Sequence, residues 1–374
     1  MKKFKKRYLA TPVENDLARK MVFVGGPRQV GKTTLAKSLL GSAAKGYLNW
    51  DIAKDRESIL KRELPNTSIW AFDEIHKYKP WRSYLKGLYD QFKDTHKILV
   101  TGSARLDYYR RGGDSLQGRY HYLRLHPLTV AELGIKTQKD LEELFHLGGF
   151  PEQFFMGSHI ESKRWSREYR QRLIQDDLVS LENIRDLGTL ELLMIRLPEL
   201  VGSPLSINSL REDLQVSHNT VANWLDIFVR LYAIFRISPF GTSFLRAVKK
   251  EQKHYHYDWT LIDNEGVRFE NIVAVHLQKW VHYEEDTKGR DIELRYFRDV
   301  DGREVDFVIV EKGKPILAIE CKWNNTEINK GLKYFKKHFP KCEAVQISWK
   351  TENNYISADG IKVCDALTFL QGLI

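Results

Sequence analysis

The stretch MVFVGGPRQVGKTTLAKSLLG, Met21 to Gly41, constrains the fold of this chain more than any other. Met21 to Val24 is a short apolar run, long enough for a buried strand. Gly26 to Thr33 matches the pattern GxxxxGK[ST]. Leu35, Leu39 and Leu40 follow with helical spacing, and Gly41 suits a helix stop. Strand, glycine loop and helix in that order is the context a phosphate-binding loop requires. The glycines let backbone N–H groups approach phosphates, and the helix N-terminus adds positive potential. Lys32 would reach the β- and γ-phosphates of ATP, and Thr33 would hold Mg²⁺. Gly26, Pro27, Arg28, Gln29, Val30, Gly31, Lys32, Thr33 and Thr34 are therefore the candidate nucleotide contacts.

A second apolar run, SIWAFDEIHKY, ends in Asp73-Glu74 about 40 residues after the loop. It reads as a Walker B strand. Asp73 would bind Mg²⁺ through water, and Glu74 would polarise the attacking water. A third run, KILVTGSARL, brings Thr101 and Ser103 to a strand end. A polar side chain there either senses the γ-phosphate or caps a turn, and Ser103 joins the candidate nucleotide contacts. LNWD, Leu48 to Asp51, supplies a further strand. Strands alternating with helices argue for an α/β parallel sheet with ligands at the strand C-termini. In SLQGRYHYLRLHPLTVAEL, Arg119 is a candidate arginine finger; the alternative is a surface arginine or a structural ion pair. Arg105, Arg110 and Arg111 are weaker candidates.

GPRQVGKTT, the Asp-Glu strand, TGSARL, GRYHYLRLHPLTVAEL, GGFPEQFF and REYRQRLIQDDL fall in an order that resembles archaeal-type, AAA-superfamily P-loop ATPases of prokaryotes. The resemblance implies an ATPase core over residues 1–126, a helical lid over 127–200, a winged-helix segment over 201–258 and a C-terminal domain over 259–374.

The middle of the chain supports a helix-turn-helix on its own residues. Leu210 and Leu214 share one helix face, and Val221, Leu225 and Phe228 share another. Ser217 can cap the second helix across the turn Gln215-Val216-Ser217. YAIFRISPF supplies a strand, with Lys249 to Tyr257 as its returning partner. His218, Asn219, Thr220 and Asn223 then face outward at the start of a recognition helix, where they could meet bases or phosphates. The alternative is a helical module that touches no DNA, since this helix carries no Lys or Arg before Arg230.

In the last third, FENIVAVHLQKW (Phe269 to Trp280) reads as an amphipathic helix with Glu270 near its start, and IELRYFRD as a strand. EVDFVIVEKGKPILAIECKW, Glu304 to Trp323, is a hairpin with carboxylates inside apolar strands. A turn centred on Gly313 pairs Asp306 with Glu320 and Glu304 with Lys322, all on one largely buried face. Opposed carboxylates destabilise a strand pair, so a divalent cation, Lys322 or a raised pKa must compensate. Asp, then Glu-x-Lys on the next strand, resembles the PD-(D/E)XK nuclease fold. That resemblance implies Glu270, Asp306 and Glu320 as Mg²⁺ ligands and Lys322 as the catalytic lysine. The proline that usually precedes the aspartate is absent. The alternative is a charge ladder at the wet end of a hairpin. NKGLKYFKKHFPK, Asn329 to Lys341, follows as a basic helix able to track a phosphate backbone.

Composition sets limits on these readings. The 374 residues exceed one hydrophobic core, and no apolar run is long enough to cross a bilayer. Three cysteines without paired spacing fit a reduced, cytoplasmic setting. The net charge of +10 favours polyanionic partners such as DNA or anionic lipid. The sequence thus points to an ATP- and Mg²⁺-dependent ATPase acting on DNA, with branched or recombining DNA as an analogy, and a homo-oligomer if Arg119 acts in trans. The alternative is a nucleotide-dependent switch for DNA or protein whose nuclease-like domain is inactive.

Overall fold

The computed structural model describes residues 6–102, 116–178, 186–241, 252–324, 327–349 and 354–374. The chain divides into two compact units. One comprises Met1–Pro127 with Arg230–Tyr232 and Asp286–Lys288; the other comprises Leu128–Val229, Ala233–Glu285 and Gly289–Ile374.

The first unit is built on five parallel strands: β1 (Met21–Gly25), β2 (Tyr47–Asn49), β3 (Ile69–Asp73), β4 (Lys97–Thr101) and β5 (Tyr120–Arg124). Their order is β2-β3-β4-β1-β5. A parallel sheet is covered on both faces, so its central strands are apolar runs rather than alternating ones. Accordingly β1 and β3 are buried at every position. Phe23, Trp70, Phe72 and Val100 pack there with Trp81, Leu85 and Leu88 of the helix Trp81–Phe92. Val24 is level with Thr101, and Thr101 with Asp73. The C-terminal ends of β1, β4 and β3 therefore open onto one edge, just before the helix Lys32–Leu40.

The second unit contains a mixed eight-stranded sheet. Its strands are β6 (Ile234–Pro239), β7 (Lys253–His256), β8 (Ile292–Arg298), β9 (Glu304–Glu311), β10 (Lys314–Lys322), β11 (Glu343–Ser348), β12 (Tyr355–Ile356) and β13 (Lys362–Asp365). The order is β12-β13-β11-β10-β9-β8-β6-β7. The helices Ile207–Leu214 and His218–Arg230 flank Gln215, which sits at a φ of 54°. The Ser217 hydroxyl accepts from the Thr220 N–H at 3.1 Å, and Val221, Leu225 and Phe228 are buried together with Trp224 and Ile227. β6 and β7 pair antiparallel, as expected of a returning strand. However, Ser238 and Pro239 also pair in parallel with Arg295 and Tyr296 of β8. The hairpin is thus joined, through the last two residues of β6, to the edge of a larger sheet.

The helix expected from Phe269 to Trp280 extends over Glu265–Lys288. The Asn264 side chain caps it by accepting from the Val267 N–H at 3.1 Å, and Gly289 closes it at a φ of 65°. Ile272 through Leu277 are buried without interruption, so the periodic stripe marks only the core-facing middle of the element.

The hairpin register carries a second correction. Its turn is Lys312-Gly313, both at positive φ, and it pairs Lys314 with Glu311. A shift between Pro315 and Leu317 then restores the expected register, with Ala318 opposite Val308 and Ile319 opposite Phe307. The ladder stops at that pair. Beyond it the strands fork, each held by its outer neighbour, β9 by β8 and β10 by β11. Leu332 and Phe335 of the helix Lys330–His338 pack on Val305, Val308 and Ala318. Among the described residues no helix is long and apolar enough to cross a membrane.

Candidate functional site

In the first unit the loop after β1 shows why two glycines stand together. Gly26 has a φ of +142°, and a Cβ there would lie 2.3 Å from the Leu125 carbonyl oxygen. No L side chain fits that backbone or that space. Val30 is fully buried and anchors the loop from below. Gln29 adopts a φ of 60° with its Oε1 buried and unbonded among the described residues. Lys32 Nζ donates to the carbonyls of Gly26 at 2.9 Å and Pro27 at 2.6 Å. The lysine lies against the loop that would cradle phosphates. Arg28 lies within the loop, and Thr34 in the first turn of the helix that follows it.

Asp73 is the hub of the edge. Thr33 Oγ1 donates to its Oδ2 at 2.8 Å, Tyr47 Oη to the same oxygen at 2.5 Å, and Thr101 Oγ1 to its Oδ1 at 2.7 Å. Asp73 and Thr101 are both buried. A threonine hydroxyl and a carboxylate held together are hard oxygen donors, so Thr33 and Asp73 fit Mg²⁺. Burial, reinforced by Asp73, pushes the Tyr47 hydroxyl well above its usual range, which keeps it a donor. Glu74 turns off β3 at a φ of 59°, and its N–H bonds the Thr101 carbonyl at 3.0 Å. Burial raises its carboxyl, with Lys32 and Lys77 opposing that shift. A carboxyl raised toward neutrality suits a group that handles the proton of an attacking water.

Tyr47 had no signal in the sequence, where it stands just before the strand read at Leu48 to Asp51. Thr101 was legible as a strand-end polar residue, whereas Ser103, the residue expected to sense phosphate, lies outside the described residues. So do Arg105, Arg110 and Arg111. Arg119 is placed against its expected role in its own chain. Tyr120 is level with Met21 and Arg124 with Gly25, so Arg119 stands at the far end of β5 from the loop. It forms an ion pair with Asp90 at 2.8 Å. Four to five residues of extended chain, about 15 Å, separate it from the phosphate edge.

The second unit gathers the C-terminal carboxylates, but around a different cation from the one expected. Lys253 Nζ, fully buried, lies 2.5 Å from Glu304 Oε1, 3.6 Å from Glu270 Oε1 and 4.0 Å from Asp306 Oδ1. Burial works against its charge, but Glu270, Asp306 and Glu304 more than offset that and hold the ammonium protonated. Tyr255 Oη donates to Glu270 Oε1 at 2.7 Å. Glu320 faces another set: Lys322 Nζ and Asn329 Nδ2 each donate to its Oε1 at 2.7 Å. At the fork the Asp306 N–H reaches Glu320 Oε2 at 3.3 Å, and the Cys321 N–H donates to Asp306 Oδ2 at 2.8 Å. The two carboxylates therefore replace ladder hydrogen bonds and are not merely opposed across a regular pair.

Burial first and the charge of Asp306 second raise Glu270 to about 7 and Glu320 to about 8. Burial also raises Asp306, against the pull of Lys253. Among the described residues no group of three or more His, Cys, Asp or Glu is arranged to hold a metal ion. In this arrangement Glu270, Asp306 and Glu320 do not fit the Mg²⁺ expected of them, because Lys253 takes the common centre and Lys322 with Asn329 takes Glu320. Lys253 was missed. Period-two alternation puts it on the face of Tyr255, but nothing in the spacing links it to acids 17 to 53 positions away.

On the helix His218–Arg230, His218, Asn219 and Asn223 are exposed and Thr220 is half-buried against its Ser217 cap. These residues lie in the first two turns of that helix.

Residues 18–134 match the model of an AAA domain. Residues 138–264 and 265–368 match two domains of unknown function, DUF8612 and DUF4143. An uncharacterized protein of Methanocaldococcus jannaschii is 25% identical over 360 residues, covering 86% of this chain and 79% of its own length. An uncharacterized protein of Mycobacterium tuberculosis is 23% identical over 321 residues, covering 80% and 72%. The solved Walker-type ATPase of Pyrococcus abyssi is 14% identical, covers 71% of this chain and 95% of its own, and superposes with a TM-score of 0.46. The AAA match falls on the five-stranded parallel sheet and its glycine loop, so the N-terminal part of this chain is similar in sequence to AAA domains and has a P-loop-type sheet.

Proposed function

We propose that the chain binds ATP with Mg²⁺ at Gly26–Thr34, hydrolyses it, and uses the cycle to control how its C-terminal part engages DNA. The observation that carries the first half is the convergence of Thr33, Tyr47 and Thr101 on Asp73. It presets the carboxylate beside the P-loop threonine. Thr33 and Asp73 would hold Mg²⁺, whose charge would offset that of the phosphates. Lys32 would move from the loop carbonyls to the phosphates, and Glu74 would orient the water and take its proton. Arg119 can serve only a neighbouring subunit, which makes any finger role a homo-oligomer's property.

DNA engagement is supported by the exposed turn His218–Asn223, by the surplus of positive charge, and by the exposed Lys330, Lys333 and Lys337 on the helix Lys330–His338. The element order helix, β8, β9, β10, helix, β11 supports a nuclease-like fold for the last third. A second reading, a nucleotide-dependent switch whose C-terminal domain holds its partner without cutting it, is favoured by Lys253 inside the acidic cluster.

The test measures ATP hydrolysis, DNA affinity at several salt concentrations, and Mg²⁺- or Mn²⁺-dependent cleavage of linear and branched DNA. Hydrolysis lost in Lys32→Ala, with salt-sensitive DNA affinity that changes with ATP, supports the proposal. Cleavage lost in Lys322→Ala would make it a nuclease as well. Absence of salt-dependent DNA affinity refutes the DNA half.

A further inference from the structure

We infer that Lys253 is the resident cation of the acidic cluster in the C-terminal unit, standing where a nuclease-like site would take a divalent metal. The ammonium is fully buried and lies within 4.0 Å of oxygens from Glu270, Glu304 and Asp306. These carboxylates come from the helix Glu265–Lys288 and from β9, so Lys253, on β7, ties those two elements together.

Its backbone is fixed on both sides. Lys253 pairs with Ile237 of β6 and bridges Pro204. The side chain therefore enters from a pinned strand and is not a mobile surface lysine. Tyr255, two residues along and on the same face, holds Glu270 by its hydroxyl. The cluster is thus approached by a lysine and a tyrosine from one strand, and by Lys322 and Asn329 from the other side.

Charge and space both argue against a second cation here. Mg²⁺ needs oxygens at about 2.0–2.1 Å in octahedral array, and a volume already holding an ammonium cannot supply them. Two cations a few ångströms apart in a buried site repel by several kcal/mol even at an effective dielectric of about 20. A buried ion cluster of this kind is strongly destabilised when one partner is removed, so the lysine is structural as well as electrostatic.

The inference deepens the nuclease-like reading, but its readout is metal binding, so it fails separately from any DNA affinity or ATPase result. The experiment titrates the nucleotide-free full chain with Mn²⁺, following free Mn²⁺ by electron paramagnetic resonance. Wild type should show no Mn²⁺ site that Asp306→Asn removes. Lys253→Met should gain one Mn²⁺ per chain, at least about tenfold tighter than any wild-type binding, and Lys253→Met combined with Asp306→Asn should lose it. A wild-type site abolished by Asp306→Asn overturns the inference. A folded Lys253→Met that gains no site also overturns it, since the lysine then holds no metal's place. If Lys253→Met does not fold, the wild-type and Asp306→Asn titrations decide alone: a shared absence of the site upholds the inference, and a difference refutes it.

Discussion

Thr101→Val isolates one of the three donors that hold Asp73. Valine keeps the β-branched shape and suits the strand, so the substitution removes one hydrogen bond and little else. That bond joins the buried Thr101 hydroxyl to the buried Asp73 carboxylate at 2.7 Å. A hydrogen bond to a charged group contributes about 1.5–3 kcal/mol. Thr33 and Tyr47 still hold the other oxygen, which puts the expected loss at the lower end, about 1.5–2 kcal/mol. If the carboxylate's orientation matters equally in the transition state, kcat/KM for ATP falls roughly ten- to thirtyfold, since about 1.4 kcal/mol is a factor of ten. Steady-state ATPase assays read that number, and urea denaturation reads the stability. Tyr47→Phe, alone and combined, completes a double-mutant cycle. Because both donors share Asp73, the cycle should be non-additive by about 0.5 kcal/mol or more. ATPase activity within twofold of wild type, with an unchanged urea midpoint, would refute the claim that Asp73 is preset by this network.

Three further outcomes follow from the geometry. Glu270 and Glu320 keep protons in the folded chain that the unfolded chain loses above its carboxyl pKa of 4.5. Their stabilising contribution is complete below that value and is lost as pH rises toward about 8, at up to about 1.4 kcal/mol per pH unit per group; Glu320→Gln should flatten this slope in urea titrations between pH 5 and 8, and an unaltered slope would count against the buried acid. Arg119→Ala removes an exposed ion pair with Asp90, so the urea midpoint should stay close to that of wild type. Mixing it with Lys32→Ala subunits should restore ATPase activity only if the arginine serves a neighbour's site. Alanine at His218, Asn219 and Asn223 together should leave ATP hydrolysis intact and weaken DNA binding at least about tenfold by fluorescence anisotropy, where unchanged affinity would move the DNA surface elsewhere.

The two halves of the chain differed in how much their sequence disclosed. The phosphate loop was legible because its chemistry is local: Gly26 through Thr33 are contiguous, and the conformations they need follow from residue type. The hairpin was legible in its outcome but not in its path. The register assigned from a turn at Gly313 matched at Ile319 and Phe307, yet it arises from a Lys312-Gly313 turn followed by an irregularity near Pro315. Local turn chemistry cannot announce a compensating shift three residues later.

The sequence by itself determined the alternating α/β order, the glycine loop, the two helices either side of Gln215-Val216-Ser217 and the crowding of carboxylates at one end of a hairpin. Periodicity and short-range sterics act within a few residues and leave their mark on the string. Only the tertiary structure decided that Arg119 faces away from its own loop, that Tyr47 and Thr101 hold Asp73, and that Lys253 answers the acids. Those outcomes depend on which strands become neighbours and at what level. A buried charge is neutralised by whichever side chain the packing delivers, and distance along the chain does not enter that choice.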